Sequence, residues 1–163
     1  MSELFENLLT SSPFAVIELF QLKLDNAIHG SNETHYFFSG VNQKTTTGQI
    51  IYAGDPYIAL PIQVEGFEFK GDGTLPRPSL RIANTNSFVT AVLLSVNETT
   101  PGNDLTGAKV TRIRTLSRFL DAANFDNDTN PYGTPDPTST GEMPREVYYV
   151  DRKVSENRDL VEF

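Results

Sequence analysis

Residues 66–84 read GFEFKGDGTLPRPSLRIAN. Phe67 and Phe69 alternate with charged residues, as side chains do on the two faces of a strand. Gly66 shifts the phase of an alternation that begins at Val64, as a bulge would. Gly71, Asp72 and Gly73 supply residues that accept the positive φ of a turn. Pro76 and Pro78 fix φ and cannot donate to a ladder, so they hold the returning chain extended at a sheet edge. Leu80 and Ile82 then alternate with Arg81. The stretch therefore predicts strand, glycine turn, rigid proline entry and strand.

The same alternation extends outward on both sides. Residues 14–25, FAVIELFQLKLD, place Val16, Glu18, Phe20, Leu22 and Leu24 on one face and Ile17, Leu19, Gln21 and Lys23 on the other. They predict a long strand. HYFFSG at 35–40 predicts another. IIYAG at 50–54 and YIALPI at 57–62 predict short strands broken by a turn at Gly54, Asp55 and Pro56. At the N-terminus, Ser2 can cap a short helix carrying Leu4, Phe5, Leu8 and Leu9, and Pro13 ends it. Downstream, residues 84–87 offer N-caps for FVTAVLLSV at 88–96. Its Phe88, Val92 and Val96 recur at helical spacing, while its β-branched content also suits a buried strand. We expect a helix. KVTRIRTLSRF at 109–119, EVYYVDRKV at 146–154 and DLVEF at 159–163 predict strands. Residues 126–141 predict a long turn-rich loop, a length that is often functional.

No internal repeat and no interior linker is visible. The 163 residues suit a single β-rich domain, residues 1–163. Eight or more strands with one or two short helices predict a mostly β (α+β) fold, a β-sandwich or barrel. The apolar run at the C-terminus has no closing loop, which suggests that the chain once continued, or was cut.

Composition narrows the functional classes. A formal charge of −8 and a pI near 4.7 argue against a general nucleic-acid surface or an anionic membrane surface. The chain has no cysteine, so thiolate zinc sites, cysteine-ligated iron–sulfur clusters and cysteine nucleophiles are excluded from these residues. MSELFENLL lacks the basic start and apolar core of a secretion signal. The longest apolar run, around residues 88–96, is far too short for a membrane span. The sequons at Asn32, Asn97 and Asn127 are read as chance.

Few groups suggest chemistry. His29 and His35 flank a polar turn without ligands at metal-site spacing and are read as surface or turn residues. Asp126, Asp128 and Asn130 imitate the start of a calcium loop, but Pro131 and Pro137 stand where glycine and glutamate belong. Glu65 and Glu68 do not converge on one face of a strand, and no G-x-S-x-G or H-E-x-x-H motif occurs. GDGTLP lacks the lysine and following helix of a phosphate loop. Arg112, Arg114 and Arg118 line one face of the predicted late strand with Val110 and Leu116. They form either a solvated face or a seam that meets an acidic neighbour. Phe67, Phe69 and Tyr132 could serve a stand-alone carbohydrate-binding module as aromatic platforms.

The order of the motifs is more specific. Tyr57, Pro61 and Ile62 are followed by G-F-E at 66–68, the glycines Gly71 and Gly73, R-P-x-L at 77–80, Asn84 and R-F-L-D-A-x-N-F at 118–125. In this order, over roughly residues 36–154, the chain resembles the N-terminal part of the phage minor tail protein L family. The resemblance implies a non-enzymatic virion component at the tip of a long non-contractile tail, assembled in the bacterial host cytoplasm. It implies a ring of three between the distal tube and the host-recognition hub, touching the distal minor tail protein, the hub protein and the tape-measure end. No membrane or specific nucleic acid is implied. The family's iron–sulfur cluster belongs to a cysteine-containing C-terminal region and falls on no residue of this chain. The expected contact residues are Pro76, Pro78, Arg112, Arg114, Arg118 and Tyr132, with the loop at 126–141.

Overall fold

The computed structural model describes residues 3–11, 14–68, 71–133 and 141–163. The proposed cap Ser2, the stop at Pro13, Phe69 and the loop tip at 134–140 lie outside them. Among the described residues the chain forms α1 (Glu3–Leu8), β1 (Val16–Lys23), α2 (Asn26–His29), β2 (Thr34–Phe38), β3 (Ile50–Tyr52), β4 (Asp55–Ala59), β5 (Ile62–Glu65), β6 (Ser79–Ala83), α3 (Phe88–Thr99), β7 (Lys109–Leu116), β8 (Glu146–Tyr149), β9 (Ser155–Glu156) and β10 (Leu160–Glu162). The fold is mostly β, as the alternation predicts. The chain divides into two compact units, each assembled from three stretches. The first is Met1–Leu22, His35–Ala59 and Val110–Tyr148; the second is Lys23–Thr34, Leu60–Lys109 and Tyr149–Phe163.

The first unit is built on a six-stranded sheet in the order β3-β4-β2-β1-β7-β8. β1 is buried on both faces at its centre, where Leu19 and Phe20, between Glu18 and Gln21, are both nearly inaccessible. On one side Leu19 clusters with Phe38, Ile50, Tyr52, Tyr57, Ile113 and Leu120. Phe20 instead stacks on Phe37, ring centroids 6.0 Å apart. Each such side chain stabilises the fold by roughly 1.5–3 kcal/mol relative to exposure. A smaller cluster joins Leu4 of α1 to Leu116 and Phe119. Only part of the predicted α1 face is used: Leu4 is buried, while Phe5 and Leu9 are exposed.

β3 and β4 form a tight antiparallel hairpin with Tyr52 opposite Asp55. The turn therefore lies at Ala53 and Gly54, with φ of 53° and 82°, one residue earlier than the expected Gly54-Asp55-Pro56. Positive φ at both central positions matches the strand twist, and it strains alanine at the first. β4 returns parallel to β2, with Phe37 opposite Ile58. Pro56 precedes that pairing, so its missing N–H removes no rung from it.

The second unit holds the antiparallel sheet β5-β6-β10-β9. The hairpin of residues 66–84 is present: Ile62 pairs with Ile82, Val64 with Leu80 and Glu65 with Ser79. Its loop is longer than a simple glycine turn. β5 stops at Glu65, and Gly66 closes the strand instead of bulging within it. With φ of 81°, a Cβ there would lie 3.3 Å from the Arg77 carbonyl oxygen, so the two legs of the loop approach where only glycine fits well. The outer face of the sheet carries Arg81, paired with Glu162 at 3.2 Å and Glu65 at 3.6 Å.

Residues 88–96 are helical. The buried face is Val89, Leu93 and Val96, not Phe88 and Val92. Asn84 sets the start: its Oδ1 accepts from the Thr90 N–H at 3.3 Å and its Nδ2 donates to Thr90 Oγ1 at 2.8 Å. His29 is not a surface residue. It ends α2 buried, its Nδ1 accepting from the Asp25 N–H at 2.9 Å and its Nε2 lying 3.0 Å from the Thr106 carbonyl oxygen. That pairing fixes the tautomer with the proton on Nε2.

Candidate interaction surface

The segment at 118–125, RFLDAANF, closes the β3 edge of the first unit with side chains. Ile51 faces Pro56 across β3 and β4, in a position that turns its own N–H and C=O outward. Asn124 takes both: its Oδ1 accepts from the Ile51 N–H at 2.8 Å and its Nδ2 donates to the Ile51 carbonyl at 2.6 Å. Asp121 holds the adjacent turn, accepting from the N–H groups of Ala53 at 2.9 Å and Gly54 at 2.7 Å. Leu120 and Phe125 anchor the segment against the core, and Phe119 enters the smaller cluster. The motif is thus a seal on a sheet edge that would otherwise offer itself for pairing.

Beyond the seal the chain turns outward. Asn130 donates to the carbonyls of Arg118 at 2.9 Å and Leu120 at 3.1 Å, and its Oδ1 accepts from the Tyr132 N–H at 2.9 Å. Asn130 therefore works as a turn clamp, and Asp126 pairs with Lys44 at 2.7 Å. Among the described residues no group of His, Asp and Glu is arranged to hold a metal ion. With no cysteine in the chain, the donor set also does not fit the iron–sulfur cluster of the resembling family. The Tyr132 ring meets Phe14 edge-on at 4.7 Å and Phe125 at 6.2 Å, and remains half exposed. Between Tyr132, Phe125, Ile50, Ile17, Val41 and Lys44 runs an open groove of about 680 Å³.

The expected contact residues fall into three places. Arg118 leaves the arginine row, because β7 ends at Leu116 and Arg118 sits in the following single turn. Its guanidinium lies 5.6 Å from the Phe14 ring centre and 5.2 Å from that of Phe119, with Nη2 3.5 Å from the Tyr132 carbonyl oxygen. Structure thus joins Arg118 to the Tyr132 backbone carbonyl by a hydrogen bond, and to Phe14 and Phe119 by cation–π contacts. Arg112 and Arg114 share Glu146, at 3.0 and 2.8 Å, and Arg112 also binds Glu18. Burial opposes the charge on Arg112, and the two carboxylates outweigh it and raise its pKa. These acidic partners lie within the chain, on β1 and β8; no local pattern announces them, because they come from distant strands. Pro76 and Pro78 belong to the hairpin loop of the second unit, where they are half-buried while Leu75 and Arg77 are exposed. Phe67 is half-buried in that same loop.

Comparison with known proteins gives these features a family. A profile of phage minor tail protein L matches residues 28–163. The chain belongs to the phage minor tail protein L family. Over 102 residues it is 36% identical to the tail tip protein L of Escherichia phage lambda, covering 62% of this chain and 40% of that protein. The chain thus matches less than half the length of this relative. Family membership places the chain among phage minor tail proteins. The R-F-L-D-A-x-N-F residues are those that seal the β3 edge. No helix among the described residues is long and apolar enough to cross a membrane.

Proposed function

We propose that this chain forms a ring at the tip of a long non-contractile tail, between the distal tube and the host-recognition hub, and supports tail assembly. The observation that carries the reading is the family match over residues 28–163. The partners are the distal minor tail protein, the hub protein and the tape-measure end, and three copies make the ring. Assembly takes place in the host cytoplasm, without a membrane, a specific nucleic acid or a cofactor bound by these residues.

The role is non-enzymatic. Acid–base catalysis needs two groups converging on one open site. Several carboxylates among the described residues are already committed to structure. Glu142 accepts from Tyr52 at 2.8 Å and pairs with Arg145 at 2.7 Å. Glu146 holds two arginines, and Asp104 and Glu156 share Lys153 at 3.0 and 2.8 Å.

Immunogold electron microscopy of the source phage, with antibody against residues 1–163, tests the placement. Label is expected at the tail tip, directly or after mild disruption of the tip. Intact and disrupted particles that both stay unlabelled, while infected cells make the protein, would sink the reading.

A further inference from the structure

We propose that the segment at 74–78, Thr-Leu-Pro-Arg-Pro, of one copy docks in the groove beside Tyr132 of a second copy. The proposal rests on the tail-tip reading and names one contact within the ring.

The segment has the chemistry of a rigid ligand. Pro76 and Pro78 fix their own φ, and each restricts the residue before it, Leu75 and Arg77, to extended conformations. A stretch so constrained loses little entropy on docking. Leu75 is 83% exposed, the most exposed large apolar side chain among the described residues. At three residues per turn, Leu75 and Pro78 lie on one side of such a segment and Arg77 on another.

The groove has the complementary chemistry. Extended proline-rich segments dock in grooves walled by aromatic rings. Phe125 and Tyr132 supply such walls, and Val41, 70% exposed, forms the opposite rim. Its volume of about 680 Å³ takes several side chains. The rim is charged where Arg77 needs it. Lys44 and Asp126 line the groove, and their pair is open to water, with side chains 59% and 74% accessible. Such a surface pair costs little to rearrange. Asp72, exposed at the start of the loop, offers Lys44 a replacement. One surface of the chain is thus a knob and a different surface a hole. Contacts of that kind run head to tail, and they close into a ring when the rotation between copies divides a full turn.

These 163 residues hold no cysteine, so linkage through the new thiols is read against the single variants. Leu75→Cys and Val41→Cys change two exposed positions, so folding is unaffected. Phage particles carrying the double variant, or either single variant, are purified, oxidised and run on a non-reducing gel. The double variant is expected to give reductant-sensitive species of two or more chains, and the singles none. Adding Arg77→Glu is expected to reduce the linked fraction several-fold, and Asp126→Lys to restore part of it. Particles that contain the chain but yield no linked species overturn the proposal and leave the tail-tip reading standing. A disulfide formed within one chain, or linkage in a single variant, also overturns it. Particles that lack the chain overturn both.

Discussion

Asn124 binds Ile51 as a neighbouring strand would, giving and receiving one hydrogen bond with the same residue across 73 positions of sequence. Asn124 is itself buried, and a third bond runs from its Nδ2 to the Asp121 carbonyl at 2.8 Å. A single side-chain amide thereby satisfies an edge that another backbone would otherwise have to cover. Asn42 adds a second layer, donating to Asn124 Oδ1 at 3.2 Å.

Removing that amide strands the Ile51 N–H and leaves the Ile51 carbonyl only the long bond from the Asp121 N–H, at 3.4 Å. Asn124→Ala is expected to destabilise the first unit by about 2–4 kcal/mol, since an unpaired buried donor or acceptor costs about 1–3 kcal/mol. Asn124→Asp keeps the acceptor but turns a buried carboxylate oxygen toward the Ile51 and Asp121 carbonyls, so its loss in urea titrations should be large at neutral pH and shrink as acid protonates it into a donor. A loss for Asn124→Asp that does not change with pH would show that the bond donated to the Ile51 carbonyl contributes nothing.

The arginine row gives a prediction of a different kind. Arg112 is mostly buried between Glu18 and Glu146. Arg112→Ala leaves Glu18 without this cation and Glu146 with Arg114 alone, and is expected to cost roughly 2–4 kcal/mol. Arg114→Ala removes one bond to Glu146 and should cost less. Thermal melts in low and high salt check the assignment: added salt should recover part of the Arg112→Ala loss by screening the two carboxylates.

Alkaline pH should weaken the first unit through its tyrosines. Burial pushes the Tyr57 phenol up from 10.0 to about 12, although the amide of Gln21 opposes the shift. Burial and the neighbouring Glu142 raise Tyr52 further. The folded state holds these protons more tightly than the unfolded state. The stability they give is therefore complete below pH 10 and is lost as pH rises through the folded values. At about 1.4 kcal/mol per pKa unit, Tyr57 alone accounts for up to ~3 kcal/mol. Absorbance at the tyrosinate band should rise together with unfolding. A Tyr57→Phe chain should lose less stability between neutral pH and pH 12; an unchanged profile would count against the assignment.

Acid should act on the second unit. Asp104 is held below the ordinary carboxylate range by the Asn97 amide and then by Lys153, and Glu156 is held low chiefly by Lys153. Both are depressed in the folded state, so their contribution is present above the unfolded carboxylate pKa, near 4, and lost as pH falls through the folded values. Lys153→Met is expected to lower the stability at pH 7 and to flatten the acid limb of the urea midpoint against pH. A limb as steep as in the unaltered chain would show that other carboxylates carry it.

What the sequence determined by itself was local. Alternation placed the strands, because side chains in a strand change face at every residue whatever lies beyond. Glycine and proline marked the hairpin at 66–84, because their backbone preferences are intrinsic. The ordered motifs identified the family, without saying what each residue does. Tertiary structure decided the rest. It drew each compact unit from three separate stretches, so no linker composition marks a boundary. It turned Arg118 away from Arg112 and Arg114 by ending β7 at Leu116, and buried His29 between two backbone groups. It rotated the buried face of α3 by one residue, toward Val89 and Leu93. It also gave Asp121 and Asn124 their work. A side chain that completes the hydrogen bonds of a distant strand leaves no period in the sequence, because its partner is backbone and backbone is the same at every position.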